Sequence, residues 1–243
     1  MASVLKAEGV AVRYGDAPVP ILKDFELSVG PGEFVAIVGG SGVGKSTLLR
    51  VIAGLLHPES GSIKLDRNEK PDRRRTAIVF QDGRLMPWRT LEDNVAYGLE
   101  GLSISKADRD ARIDEVLRLT ELTELRDRYP HQLSGGQIQR GGIARALAVE
   151  PDILLMDEPF SAVDALTRET LQEELLRIWA ASGKAVLFVT HDISEASYLA
   201  DRAIVLSGSP AVISLDISID IARPRDRSSD ALADVGAKIA AAL

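Results

Sequence analysis

The chain is 243 residues long, 45% hydrophobic and 27% charged, with a formal charge of −7 and no cysteine. That length is ample for a substantial core, and the lack of thiols excludes disulfides, thiolate metal sites and cysteine nucleophiles while fitting a cytoplasmic address. The acidic balance argues against a broad nucleic-acid-binding surface, although a local basic patch would escape such a count.

No apolar run approaches the roughly eighteen residues of a membrane span. The opening Met1-Ala2-Ser3-Val4-Leu5-Lys6-Ala7-Glu8 lacks the basic start and apolar stretch of a signal peptide. His57, His131 and His191 show no metal-ligand spacing.

In chain order, the first third reads as strands. Phe25, Leu27 and Val29 alternate with Glu26 and Ser28 as a half-buried strand does, and Pro31-Gly32 turns the chain. Phe34-Val35-Ala36-Ile37-Val38 is an unbroken apolar run, expected of a strand buried on both faces. A helix is expected after Gly44, with Gly54 and Pro58 to stop it. Ile63 with Leu65, then Ile78-Val79-Phe80, predict two further strands.

From residue 81 to 150 the pattern turns mostly helical. Ser105 and Asp108 have the spacing of a capping box ahead of Ile113, Val116, Leu117 and Leu122, and a second helix is expected past Gly136. Apolar runs at Ile153-Leu154-Leu155-Met156 and Ala185-Val186-Leu187-Phe188-Val189 flank a helical stretch over 167–179. Strand alternating with helix marks a parallel α/β sheet. Ile213, Leu215, Ile217, Ile219 and Ile221 alternate with Ser and Asp as a one-faced strand, a hairpin partner for 203–206 through Ser207-Gly208-Ser209-Pro210.

Two stretches carry chemistry. Gly39-Gly40-Ser41-Gly42-Val43-Gly44-Lys45-Ser46, followed by Thr47, fits a phosphate-binding loop with a strand before it and a helix after it. Glycines let successive backbone N–H groups wrap phosphates, and a helix N-terminus favours an anion. Lys45 is the candidate to reach the β- and γ-phosphates, and the Ser46 hydroxyl to sit on Mg²⁺. Further on, Asp157-Glu158 closes a buried strand, at the end where α/β sheets bind ligands. Asp157 suffices to hold Mg²⁺ through water, and Glu158 can orient and deprotonate an attacking water. An acidic strand end turning at Pro159 is the plainer alternative.

The octapeptide Leu133-Ser134-Gly135-Gly136-Gln137-Ile138-Gln139-Arg140 names a family. Together with the phosphate loop, Asp157-Glu158-Pro159, Ser161-Ala162-Val163-Asp164 and Thr190-His191-Asp192, in that order over nearly the whole chain, it resembles ATP-binding cassette (ABC) ATPases. The resemblance implies an α/β fold: a P-loop NTPase core with a parallel sheet, an N-terminal antiparallel β subdomain and an inserted helical subdomain. Residues 1–243 would form one ABC ATPase domain, with 1–80 and 151–243 as the core with its β subdomain and 81–150 as the helical signature subdomain. ATP and Mg²⁺ are the implied cofactors.

The same resemblance distributes roles. Ser134, Gly135, Gly136 and Gln137 would face the γ-phosphate bound by a second, head-to-tail copy. Ser followed by Gly-Gly is also good helix-start chemistry, and both can hold. Tyr14 matches the aromatic that stacks on adenine, with an edge-strand core tyrosine as the alternative. Gln81 matches the glutamine that senses Mg²⁺ and the attacking water, His191 the switch histidine on the γ-phosphate, and Asp164 the loop that communicates across the dimer. Their plainer readings are a solvated loop residue, a structural histidine and a helix N-cap.

Met86-Pro87-Trp88-Arg89-Thr90-Leu91-Glu92-Asp93-Asn94-Val95, Glu158-Pro159-Phe160-Ser161-Ala162 and Arg223-Pro224-Arg225-Asp226-Arg227 resemble the ATPases of nitrate, sulfonate and taurine importers. Such a subunit would lie on the cytoplasmic face of the inner membrane, dock a permease near Met86, Pro87 and Trp88, and serve an external solute-binding protein indirectly, with no nucleic acid expected. Burial of Trp88 in the helical region is the alternative. A soluble ABC ATPase working on nucleic acid or ribosomes is the other class of function, and it would normally carry a coiled-coil insertion, a zinc module or a second cassette. Departures from the family are Gly40, Asp82-Gly83, Val163 and Gly141-Gly142. Two glycines inside a helix should each cost on the order of 1 kcal/mol relative to Ala, which makes that helix the least typical part of the chain.

Overall fold

The computed structural model of the chain describes residues 3–15, 18–65, 71–161 and 163–243. Met1 and Ala2 of the opening stretch and Ala162 of the 161–164 motif lie outside the described residues. The first elements are β1 (Leu5–Val12), β2 (Leu22–Val29), β3 (Phe34–Gly39), α1 (Lys45–Ile52), β4 (Ser60–Leu65), β5 (Thr76–Val79), α2 (Leu91–Gly98) and α3 (Lys106–Leu119). After them come α4 (Gly135–Ala148), β6 (Ile153–Asp157), α5 (Ala165–Ser182), β7 (Ala185–Thr190), α6 (Ile193–Leu199), β8 (Arg202–Ser207), β9 (Val212–Ser218) and α7 (Asp230–Ala241). Contacts gather these into two units, Met1–Asp66 with Ala185–Leu243, and Arg67–Lys184.

The first unit holds two groups of strands. β1 pairs antiparallel with β2 and with β4, burying Leu5, Ala7, Val10 and Val12 along one strand and Leu22, Phe25, Leu27 and Val29 along its neighbour. The apolar run of β3 is buried at all six positions. It lies between β7 and β8, parallel to both, which is why neither of its faces can be polar.

β9 returns antiparallel to β8, from Arg202 opposite Ser218 to Ser207 opposite Val212. It ends at Ser218, short of the alternation that runs on through Ile221. The reason is an arginine. Arg225 is 6% exposed, and its guanidinium donates to the carbonyls of Ile219 (3.1 Å) and Ile221 (3.0 Å), and to those of Ser197, Tyr198 and Ala200 (2.9, 2.9 and 2.7 Å). The last three are the carbonyls that α6 leaves without helical partners at its C-terminal end, where a cation is favoured.

Burial above all pushes this guanidinium down to about 10, which leaves it charged at neutral pH. Arg223 binds the Asp201 carboxylate and the Leu199 carbonyl, and Arg227 lies 3.6 Å from the Tyr198 ring centroid. The importer-like Arg-Pro-Arg-Asp-Arg run thus clamps α6. Replacing Arg225 with Met strands five acceptors, so Arg225→Met is expected to lower unfolding free energy by about 3 kcal/mol, measured by urea denaturation.

The second unit pairs β5 with β6 in parallel, Thr76 opposite Ile153 to Val79 opposite Met156. Its helices start on side-chain caps, those at Ser105, Ser134 and Asp164 as the sequence indicated and that at Thr90 without such a sign. The Ser105 hydroxyl accepts from the Asp108 amide at the head of α3, which buries Ile113, Val116 and Leu117. Leu122 is also buried but lies beyond the helix.

Candidate nucleotide site

In the first unit, β3 ends at Gly39 and the chain loops back into α1. A Cβ at Gly39 would stand 2.8 Å from the Leu206 carbonyl oxygen and 2.8 Å from a Val43 methyl, so no side chain fits there. The Lys45 ammonium donates to the carbonyls of Gly39 (2.8 Å) and Gly40 (3.0 Å) and is 5% exposed. Lysine therefore runs back beneath its own loop, leaving Gly40, Ser41 and Gly42 at the surface.

Neither α1 nor α7 has a side-chain cap, whereas Thr90, Ser105, Ser134, Asp164 and Asp192 cap α2 to α6. A phosphate is the acceptor that such a helix start suits. The donor set of main-chain amides, a fixed ammonium and the hydroxyls of Ser46 and Thr47 matches a polyphosphate in charge and reach. Ser46 offers a hard oxygen of the kind Mg²⁺ takes, and that ion commonly keeps few protein ligands beside phosphate and water. The residues present fit both groups.

Tyr14 lies two residues past the end of β1, not within it, and is 43% exposed. It is no core residue. Its hydroxyl sits 3.3 Å from Thr47 Oγ1 and accepts from Arg50 at 3.5 Å, tying the ring to α1. The Thr47 hydrogen bond, more than Arg50, holds its phenol below the usual value.

His191 follows β7 directly and is exposed. Its neighbours are fixed on both sides. The buried Thr190 hydroxyl donates to Glu195 (2.6 Å) and accepts from the Asp192 amide (3.0 Å), and Asp192 caps α6.

In the second unit, Asp157 is the last residue of β6 and Glu158 leaves the strand at φ 46°, left-handed backbone that costs a non-glycine residue about 1 kcal/mol. The Glu158 carbonyl accepts from both the amide (3.2 Å) and the hydroxyl (2.8 Å) of Ser161, which holds that turn. Gln81 stands two residues past β5 with its side chain exposed.

The signature heads α4. Ser134 accepts from the Gln137 amide (3.3 Å) while the Gln137 side chain accepts from the Ser134 amide (2.9 Å), a reciprocal capping box. Gly135 and Gly136 follow in the first turn. These residues share a groove of about 570 Å³ with Val163, Asp164 and Thr167. Asp164 also caps α5 through the Thr167 amide. The helix-cap readings of Ser134 and Asp164 are therefore real, and the groove adds a shared surface to them.

Trp88 is 73% exposed, so it does not pack inside the helical region. Its loop is rigid all the same. Asn94, fully buried, accepts from the Met86 amide (2.6 Å) and donates to the carbonyls of Met86, Arg89 and Thr90 (3.2, 3.2 and 2.9 Å). Asn94, like Arg145 and Arg225, binds mainly backbone carbonyls, a role for which sequence offers no pattern.

The family model described as ABC transporter matches residues 22–161. The chain is 44% identical over 223 residues to the taurine import ATP-binding protein TauB of Pseudomonas syringae pv. tomato, covering 91% of this chain and 85% of that protein. Among solved structures it resembles cbiO1 from Clostridium perfringens, part of the ABC transporter complex cbiONQ, at 30% identity and a TM-score of 0.79 over 90% of each chain. It also resembles the ATP-binding cassette MJ0796 in a dimeric post-hydrolysis state bound to ADP and Pi, at 33% identity and a TM-score of 0.71, covering 90% of this chain and all of that one. Likeness of this extent reaches far beyond a phosphate loop, and the chain belongs to the ABC transporter family, among its ATP-hydrolysing ATP-binding proteins.

Proposed function

We propose that this chain is the energy-coupling ATPase of an importer of the nitrate, sulfonate and taurine type. What carries that reading is identity of 44% to a taurine import ATP-binding protein over 91% of the chain. All 243 residues form one cassette, with 1–80 and 151–243 as core and β subdomain and 81–150 as the helical signature subdomain. ATP closes two copies head to tail, each contributing its phosphate loop to one site and Ser134, Gly135, Gly136 and Gln137 to the other. Hydrolysis reopens them, and the permease follows. No helix among the described residues is long and apolar enough to cross a membrane; likeness to import ATP-binding proteins supports a peripheral subunit on the cytoplasmic face.

Within a site, Tyr14 stacks on adenine, while the amides of residues 39–47 and the Lys45 ammonium hold the phosphates. Glu158 takes a proton from the attacking water, Gln81 and His191 orient that water and the γ-phosphate, and Asp164 links the two copies. Ser46, Asp157 and Gln81 would hold Mg²⁺, which would supply charge neutralisation to the phosphates. Positioning and charge stabilisation supply most of the acceleration.

Vesicles carrying the cognate permease and this subunit should take up taurine, an alkanesulfonate or nitrate only with ATP inside and the binding protein outside. Uptake of none of the three would overturn the solute class. At the permease surface, Trp88→Ala is expected to change stability by less than about 0.5 kcal/mol, as exposed positions do, yet to cut uptake roughly tenfold through loss of an aromatic anchor. A melting temperature that falls with uptake would remove Trp88 from the docking site.

A further inference from the structure

Two departures from the family pattern, Asp82-Gly83 and Gly141-Gly142, meet in space. Gly141 and Gly142 are buried within α4, and Gly83 is buried in the turn just past Gln81. A Cβ at Gly142 would stand 3.0 Å from both the Cα and the carbonyl oxygen of Gly83. A Cβ at Gly83, whose φ is 64°, would stand 2.7 Å from the carbonyl oxygen of Ile138. Helix and turn thus touch backbone to backbone, and a side chain on either would part them.

Ile138, Gly142 and Arg145 lie at helical spacing on one face of α4. Arg145 donates to the carbonyls of Gly83 (2.8 Å) and Arg84 (2.7 Å), and Gln139 donates to that of Phe80 (3.4 Å). Carbonyls on both sides of Gln81 are therefore held by the helix that the signature heads. Gln81 itself is exposed, so the backbone of this turn, not packing of its side chain, sets where it stands.

We propose that Gly83, Gly142 and Arg145 are positioning residues for Gln81, fixing its turn to the signature helix so that the two move as one body. The inference rests on the role of Gln81 given under Proposed function. It also gives Gly142 a reason to be glycine, despite a helix-interior cost on the order of 1 kcal/mol.

Gly141 provides the internal control. A Cβ there would meet only the ends of leucine side chains, Leu91 Cδ1 at 2.8 Å and Leu85 Cδ1 at 3.1 Å, which can turn aside. Gly141→Ala and Gly142→Ala thus bring the same gain in helix propensity, but only the second pushes on the Gln81 turn.

The test uses the full chain, with its permease if turnover requires it, and reads melting temperature, ATP affinity, turnover and the Mg²⁺ concentration for half-maximal turnover. Gly141→Ala should melt no lower than wild type and turn over normally. Gly142→Ala should bind ATP normally and melt within a few degrees of wild type, but lose about fivefold in turnover, as a displacement of a few tenths of an ångström implies, and need more Mg²⁺. Arg145→Lys, which adds no volume, should show the same Mg²⁺ shift even if Gly142→Ala folds poorly. Wild-type turnover and Mg²⁺ dependence in both Gly142→Ala and Arg145→Lys would overturn the inference alone, as would loss of turnover only in step with melting. A wild-type chain that binds no ATP would instead overturn the reading of the site.

Discussion

Glu158→Gln is expected to bind ATP as the wild type does, to lose turnover by on the order of 10³-fold, and to accumulate as an ATP-bound dimer. The substitution keeps size and hydrogen-bonding shape and removes only the carboxylate. Gln meets the same left-handed backbone demand as Glu at φ 46°, and the Ser161 bonds that hold the turn go to the main-chain carbonyl. The fold should therefore be untouched, with a wild-type melting curve as the control. If hydrolysis reopens the dimer, a site that cannot fire stays shut. Light scattering should then give twice the monomer mass with ATP and Mg²⁺, and monomer mass with ADP. Hydrolysis near the wild-type rate would take Glu158 out of the base role.

Ser134→Asp is the second large effect, and it separates two jobs that Ser134→Ala would remove together. Aspartate caps a helix at least as well as serine, so α4 should keep its start, its Gln137 bond and its melting temperature. A carboxylate in place of the hydroxyl would repel a γ-phosphate brought by a second copy, and the amides behind it could no longer be approached. Turnover should fall by roughly 10²-fold or more, as when one stabilising donor to the reacting group is lost, with monomer affinity for ATP unchanged. A large loss of monomer affinity would sink the two-copy site, because Ser134 would then serve the nucleotide of its own chain.

The parts of this molecule that could be read in advance are those whose physics is local. The apolar run of β3, the helix caps at Ser105 and Ser134 and the strand-end placement of Asp157 and His191 are set by neighbours within about four residues. The edge-strand alternative for Tyr14 fails because the strand stops at Val12 and the ring lies exposed beyond it. The alternation through Ile221 overran β9, since the carbonyls of Ile219 and Ile221 are taken by Arg225. Exposure of Trp88 could not be decided from one tryptophan in a helical region. The meeting of Gly83 with Gly142 was likewise out of reach, because each glycine alone reads as a local weakness and only their contact explains both.

Asn94 gives the Trp88 loop a property that matters before any partner arrives. With one amide group gathering the backbone of Met86, Arg89 and Thr90, the segment loses its conformational freedom when the chain folds. In the proposed docking, a permease surface receiving Trp88 would have almost nothing left to order there, so more of the contact free energy would be kept as affinity. Recognition would then be a test of shape: a groove cut for that indole would be bound quickly, and one slightly wrong would be refused, because the loop could not adapt to it.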